Sequence, residues 1–356
     1  MENIVVIIPA FNPDEPLMLD FINKLSNEFT NIVVINDGSD NSHNAFFNDL
    51  KEKKSLIVLS HCINLGKGQA LKTAINYTLV HFPKCNGIIT ADCDGQHSIN
   101  DIKSCAKKVL QEQDGLILGV RDFNQSDVPP RSRFGNKLTR TVFKLFIGLT
   151  ITDTQTGLRG MSKKVACTFL ESKGSRYEYE SNMLIDCKLK EVPIFEIPIE
   201  TIYINSNSGS HFNPLKDSLS IYKVFAKYIL ASLSSFLVDI LLFTLFLAIF
   251  NATSFTFNFF TSTIILATIC ARLISSLYNF FINAKMVFKK MNNKSLIKYV
   301  FLVLIQMFIS GILVSYFTCL LFGSSATLVK IMVDSVIFVI NFFIQREWIF
   351  KHKRKI

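Results

Sequence analysis

The sequence predicts an α/β domain followed by an all-α membrane domain of four helices. Three observations predict it. Up to about Lys227, short apolar runs alternate with segments of helical spacing, and charges of both signs occur throughout. From Tyr228 onward acidic residues nearly vanish, and Phe, Leu and Ile dominate. The second region holds four apolar stretches, each long enough to cross about 30 Å of hydrocarbon as a helix. The boundary falls near residue 220, giving domains 1–220 and 221–356.

In the first domain "NIVVIIPAF" (3–11) reads as a buried strand followed by a Pro-containing turn, and "EPLMLDFINKLSNEF" (15–29) has helical spacing of Leu17, Phe21, Ile22 and Leu25. "NIVVINDGSD" (31–40) is a second strand ending in a Gly-Ser-Asp turn. A polar helix follows, then the strand "SLIVLS" (55–60), the loop "NLGKGQ" (64–69) and a helix from about Ala70 to His81. "NGIIT" (86–90) and "GLILGV" (115–120) are further strands. Wholly apolar strands alternating with helices predict a parallel sheet covered on both faces. Ligands of such sheets bind beyond the carboxyl ends of the strands, where Asp37, the 92–96 cluster and Arg121 all fall. "VPIFEIPIETIY" (192–203) is expected as a closing strand pair.

"PPRSRFGNKLTRTVFKLFIGL" (129–149) sets Arg133, Lys137, Arg140 and Lys144 at helical spacing among Phe134, Leu138, Phe143, Phe146 and Ile147. A basic amphipathic helix over about 131–149, lying in the headgroup plane of a bilayer, is expected. The formal charge of +10 is concentrated in 131–144, 285–298 and the tail 351–356. Each borders a bilayer or lies on one, so anionic headgroups rather than nucleic acid are the expected partner. Eight cysteines without a C-x-x-C pair indicate neither a zinc site nor a redox motif, and reduced thiols are expected. Cys93 is read as a small residue suited to a tight turn, with a soft metal ligand as the alternative. No signal peptide is expected, since "IVVIIPA" is too short and reads as a strand.

The four apolar stretches span roughly 228–250, 257–283, 299–322 and 326–345. Lysine-rich ends place both termini and the first domain on the cytoplasmic side. "NFFINAKMVFKK" (279–290) aligns with "NFFIQREWIFKH" (341–352), so two helical hairpins form a parallel duplication. That alignment sets Arg272 against Asp334, and Asp239 is a third ionisable residue inside the apolar region. Such residues are costly in a bilayer and either pair or serve a function. Pairing of Arg272 with one of the aspartates and a transport role both stand as readings.

"ADCDGQH" (91–97) carries the chemistry. Asp92 and Asp94, one residue apart at a strand end, suit a hard divalent cation, Mg²⁺ or Mn²⁺, that keeps waters and bridges phosphate oxygens, with Gln96 as a neutral oxygen donor. Asp37 in "NDGSD" is placed to accept hydrogen bonds from a nucleobase or ribose. "NLGKGQAL" sets a glycine on each side of Lys67 ahead of a helix, where backbone amides and a cation can approach a nucleotide, without the spacing of an ATP-type phosphate loop.

In order, "IIPAFN", "VINDGSD", "NLGKGQAL", "ADCDGQH", "GVRD", "SRFGNKLTR" and "DTQTGLRG" resemble the family 2 glycosyltransferases, in their polyprenyl-phosphate (dolichol-phosphate mannose synthase-like) branch, over residues 1 to about 220. The remainder resembles a GtrA-type membrane domain, although Ala284, Lys285 and Met286 of the first copy stand where the second has Arg346, Glu347 and Trp348. The resemblance implies a GT-A (Rossmann-like) fold. It implies that Pro9, Ala10 and Asp37 hold the nucleoside, with Lys67 nearby, and that Asp92, Asp94 and Gln96 hold the metal and the donor diphosphate. Arg121, Arg131 and Arg133 match the basic positions that contact phosphates. Asp153 and Arg159 match a motif lining the acceptor side. "RYEYES" (176–181) resembles the acidic segment near the sugar; Glu180 is carried over, and Glu178 is not separable from it.

The same resemblance implies an inverting transfer from a nucleotide sugar to a lipid phosphate. Asp94, Arg121, Arg133 and Asp153 are then the catalytic set. A phosphate is already ionised at neutral pH and needs no general base, whereas a hydroxyl acceptor needs a carboxylate. A UDP-sugar is favoured, with GDP-mannose open, and undecaprenyl phosphate in a bacterial plasma membrane is the expected lipid, for cell-envelope glycosylation. Flipping of the lipid-linked sugar by the membrane domain, and transfer to a saccharide hydroxyl, stand as alternatives. Association into homo-oligomers through membrane faces is left open. A processive polymerase is not expected, since the one tryptophan, Trp348, lies far from a Gln-x-x-Arg-Trp setting.

Overall fold

Four of the apolar runs form one side of a seven-stranded sheet. β1 (Ile4–Ala10), buried along its whole length, pairs in parallel with β2 (Asn31–Asn36) on one side and with β4 (Gly87–Thr90) on the other, while β3 (Leu56–Ser60) extends the sheet beyond β2. The computed structural model describes residues 3–53, 56–123, 128, 130–200, 216–252, 263–286, 293–320 and 325–344. The chain divides into two compact units, Met1–Ile221 and Tyr222–Lys355.

The sheet is mixed rather than wholly parallel. β6 (Arg159–Ser162) lies between β4 and β5 (Leu116–Arg121) and runs antiparallel to both, giving the order β3-β2-β1-β4-β6-β5-β7. Its sequence, "RGMS", has one apolar side chain and no strand signature, yet every residue is buried. Because it runs backwards, its first residue, Arg159, sits at the edge where the parallel strands end, opposite Thr90. The expected closing pair is, among the described residues, a single strand β7 (Ile194–Ile199) parallel to β5; residues 201–203 lie outside the described ones.

Helices cover the sheet. α1 (Glu15–Ser26) starts where Asp14 Oδ1 accepts from the Leu17 amide at 3.1 Å, and it buries Met18, Phe21, Ile22 and Leu25, each worth about 2 kcal/mol of hydrophobic burial. α2 (Asn44–Lys51), α3 (Lys67–His81) and α4 (Ile99–Gln111) follow the next strands in turn. α3 begins at Lys67, three residues before the expected start, so the lysine belongs to a helix N-terminus and not to a loop. α5 (Pro130–Val142) continues into a π-helical turn, Phe143–Ile147, so most of the 131–149 segment is helical; Phe134 is 69% exposed, while Asn136 and Thr139 are buried. α6 (Lys163–Leu170) and α7 (Glu178–Leu189) complete the unit.

The second unit contains α8 (Lys216–Ala252), α9 (Thr263–Met286), α10 (Asn293–Leu320) and α11 (Ala326–Ile344). Within them Leu233–Ala252 and Val300–Leu320 are long and apolar enough to span a bilayer. Leu237, Leu241, Phe308, Ile312, Met332 and Val336 are each more than half exposed, an arrangement that suits lipid as the solvent. Half of the expected repeat, 287–290 and 345–352, lies outside the described residues, as do Trp348 and the basic tail.

Among the described residues the charged cluster inside the apolar helices has four members rather than three. Lys330, fully buried, joins Asp239, Arg272 and Asp334 in a ring of alternating charge. Lys330 Nζ lies 2.6 Å from Asp334 and 3.1 Å from Asp239, and Arg272 lies 3.0 Å from Asp334 and 3.6 Å from Asp239. Ser275 donates to Asp239 at 2.7 Å and Ser310 to Asp334 at 2.5 Å. Arg272 therefore pairs with both aspartates, and the two acids and two bases cancel, which is how buried charge persists in a bilayer.

Candidate active site

β1, β2, β4 and β5 end at one edge of the sheet, and β6 begins there. Thr90 closes β4, and the turn that follows, with Gly95 at φ +71°, presents Asp92 and Asp94. Lys67 Nζ lies 2.7 Å from Asp92 Oδ1 and 3.1 Å from Glu180 Oε1. Arg159, fully buried, donates from Nε to the Thr156 carbonyl at 3.0 Å and from Nη1 to the Glu180 carbonyl at 2.7 Å, and stands 3.9 Å from the Glu180 carboxylate. Asp92, Lys67, Glu180 and Arg159 thus form one alternating cluster.

Its electrostatics divide the two aspartates. Burial opposes ionisation of Asp92, but Lys67 and then His97 overcome it and hold the carboxyl well below the aspartate range. Burial and the facing Asp92 charge raise Asp94 instead. Burial likewise works against the charge on Lys67, but Asp92 and Glu180 prevail and raise it. The Cys93 thiol is pushed up to about 12 by burial and by Asp94 and Asp92.

A second cluster forms at the end of β5. Arg121 donates from Nε to Asp153 Oδ2 at 2.7 Å and from Nη2 to Oδ1 at 3.2 Å, a bidentate pair on a fully buried carboxylate, and stacks over Phe123. Asn136 of α5 ties the same loop down, donating to the Thr152 carbonyl at 2.9 Å. Arg133 is exposed on α5, and the Arg131 side chain lies outside the described atoms.

Asp37 is buried and already engaged. It accepts from the Leu65 amide at 3.0 Å and the Gly66 amide at 2.8 Å, and His61 Nδ1 lies 2.7 Å away. Its carboxylate therefore shapes the 64–66 loop that leads into Lys67. Pro9 and Ala10 are buried at the end of β1, and the Ala10 carbonyl accepts from the Asp37 amide at 2.8 Å. Glu178 and Glu180, inseparable in sequence, do different things. Glu178 Oε1 accepts from the Ser175 amide at 3.1 Å and lies 3.3 Å from that of Arg176, whereas Glu180 reaches Lys67.

Residues 5–169 match glycosyl transferase family 2, and residues 227–350 match the GtrA/DPMS transmembrane domain. The chain is 32% identical over 228 residues to an uncharacterized protein of Methanocaldococcus jannaschii, covering 63% of this chain and 91% of that one. The chain belongs to glycosyl transferase family 2. It is 29% identical over 220 residues to the UDP-N-acetylglucosamine–dolichyl-phosphate N-acetylglucosaminyltransferase of Methanococcus voltae, covering 56% of this chain and 86% of the relative. A third relative, a dolichyl-phosphate β-glucosyltransferase of Trichomonas vaginalis, is 24% identical over 237 residues, covering 62% of this chain and 72% of that one. The chain is a glycosyltransferase with a GT-A-like mixed sheet, and it is a membrane protein.

The donor set of the glycosyltransferase fits Mg²⁺ or Mn²⁺. Among the described residues no three His, Cys, Asp or Glu side chains converge as a closed cage. Two carboxylates on a half-exposed turn suit a cation that takes its remaining ligands from water and phosphate.

Three residues at the site were not singled out by sequence. His97 is 7% exposed, and its Nε2 lies 3.6 Å from Asp92 Oδ2. His61 orients Asp37. Gly157, inside "DTQTGLRG", is where an added Cβ would sit 2.2 Å from Asp92 Oδ2. Gly157 and His97 left a trace, each inside an otherwise recognised motif, "DTQTGLRG" and "ADCDGQH".

Proposed function

We propose that this glycosyltransferase moves one monosaccharide from a nucleotide sugar to the phosphate of a polyprenyl lipid, giving a polyprenyl monophosphate sugar with inverted anomeric configuration. What carries this reading is the pairing of the carboxylates around the crevice. Asp92 and Glu180 face Lys67, and Asp153 is clamped on Arg121. A carboxylate held beside a cation is a poor base. Such a site suits an acceptor that arrives already ionised, which a phosphate does and a hydroxyl does not.

The roles follow from charge. A phosphate oxygen of the acceptor attacks the anomeric carbon as the bond to the donor's diphosphate breaks. The bonding pair leaves with the nucleoside diphosphate, and no proton needs to move. Bound by Asp92, Asp94 and Gln96, Mg²⁺ or Mn²⁺ would supply positive charge to that leaving diphosphate. Lys67 brings an ammonium to the same place at the N-terminus of α3, where backbone amides favour anions. Arg121, held by Asp153, offers a pre-oriented guanidinium to a phosphate. Arg131 and Arg133 on α5 are assigned to acceptor binding, and exposed Phe134 on that helix to the membrane surface.

The apolar helices supply the reason for a lipid acceptor, since they hold the enzyme where such lipids are found. The name of the Methanococcus voltae relative, which pairs a UDP-sugar with dolichyl phosphate, favours a UDP-sugar donor here. Both termini and the catalytic unit are assigned to the cytoplasmic side.

The test uses membranes containing the full chain, a polyprenyl phosphate, Mg²⁺ or Mn²⁺, and separately labelled UDP-glucose, UDP-N-acetylglucosamine and GDP-mannose. Label from one donor is expected in the butanol extract, and Asp94→Ala should abolish it. Label confined to water-soluble or polymeric material would refute the lipid-phosphate acceptor.

A further inference from the structure

Lys67 occupies the place of the cation it is expected to work beside. Its ammonium lies 2.7 Å from Asp92 Oδ1, on a carboxylate that the donor set assigns to a divalent metal. A divalent ion bonded to that oxygen at about 2.1 Å and an ammonium at hydrogen-bond distance from it would be two cations in near contact. They cannot share the oxygen at low cost. Lys67 has somewhere else to go. Glu180 Oε1 is already 3.1 Å from Nζ, and the carboxylate is 91% buried.

The backbone under Lys67 is fixed while the side chain is not. An added Cβ at Gly66 would meet Arg176 Cγ at 2.5 Å, and one at Gly68 would meet Tyr179 Cβ at 2.4 Å, so the start of α3 is packed hard against the segment leading into α7. The Gln69 amide donates to the Ser175 carbonyl at 2.8 Å across the same contact. Movement is therefore left to the flexible lysine stem, between two carboxylates within reach of one rotamer change.

We propose that Lys67 is a positioning residue that stands in for the metal. It neutralises Asp92 in the empty crevice, and it transfers to Glu180 and the donor's diphosphate when metal and nucleotide bind together. The proposal rests on the metal-dependent reading above. It makes binding of the two ligands cooperative. The metal alone takes Asp92 from an ammonium that is then left with Glu180 only, and the nucleotide alone meets a lysine whose charge is already shared between two carboxylates. Together each releases the other's site, and the coupling is reciprocal.

The test is titration of the full chain in detergent with Mn²⁺, read by the loss of the free Mn²⁺ paramagnetic signal, with and without UDP. In the wild type, UDP should tighten Mn²⁺ binding at least about 10-fold, within the usual range of coupling between sites. Lys67→Met should tighten Mn²⁺ binding without UDP by about 10-fold and shrink the UDP effect by the same factor. Glu180→Gln keeps the volume and removes the alternative seat, so it should weaken Mn²⁺ binding without UDP. Mn²⁺ affinity of Lys67→Met no higher than wild type, in protein that still binds Mn²⁺ with UDP, would overturn the exchange alone. Wild-type protein that takes up no Mn²⁺ even with UDP would overturn the metal reading, and the exchange with it.

Discussion

Gly157→Ala isolates the placement of Asp92 from every other property of the site. Gly157 has no positive φ, so alanine fits its backbone, and the added methyl meets Asp92 first: Oδ2 at 2.2 Å, Cγ at 2.6 Å and Oδ1 at 2.7 Å. Carbon at Cβ does not approach a heavy atom closer than 3.0 Å, so the carboxylate must retreat by close to an ångström or the 157 segment must shift. That segment is held, because the Gly157 carbonyl accepts from Thr90 Oγ1 at 2.9 Å and the chain then enters β6. The carboxylate is therefore what yields, away from its 2.7 Å contact with Lys67. A displacement of that size at a reacting centre costs about 10²-fold in rate, and overpacking of this kind costs about 1–3 kcal/mol of stability. The assay is sugar transfer to lipid under saturating donor, run beside a thermal melt. Transfer at a few per cent of wild type in folded protein is expected. Wild-type turnover together with a wild-type melting temperature would show that Asp92 need not stand where the structure puts it.

Further predictions concern the other charged groups. Asp153→Asn keeps the shape but weakens the bidentate hold on Arg121, so kcat should fall about 10- to 100-fold with little change in the donor KM; equal loss in both would assign Asp153 to donor binding. Lys330→Met leaves Asp239 and Asp334 to share Arg272 inside the membrane unit, which should destabilise by about 3–5 kcal/mol. Adding Asp239→Asn should restore part of that loss in the double variant, and strictly additive effects would contradict the ring. Asp92 is ionised more readily in the folded chain than in the unfolded one, so the unfolded chain takes up the proton first on acidification. Its stabilising contribution is complete above the ordinary aspartate range and fades as pH falls through it. The melting temperature of the wild type should accordingly drop more steeply between about pH 5 and pH 3 than that of Asp92→Asn, and parallel curves would refute it.

The sheet was legible wherever burial on both faces left a continuous apolar run, as in β1, β2, β4 and β5. β6 was not, because its burial comes from position between two strands and not from its own side chains. The Asp92–Asp94 pair announced itself because like charges so close demand an explanation. Lys67 and Glu180 were expected at the site, but their direct pairing was not legible, since they lie far apart in sequence and meet Asp92 only through the crossing of α3, α7 and the β4 turn. Lys330 was readable in principle, four residues before Asp334 on one helix, but the surrounding apolar run concealed it.

The central claim is that the acceptor is a phosphate monoester and that one sugar is joined directly to it. Mass spectrometry of the lipid product made by the purified protein tests this most directly. The account predicts a polyprenyl carrier bearing one phosphate and one sugar residue, with free nucleoside diphosphate as the other product. A lipid carrying two phosphates with release of nucleoside monophosphate, or sugar found only on a hydroxyl, would contradict it.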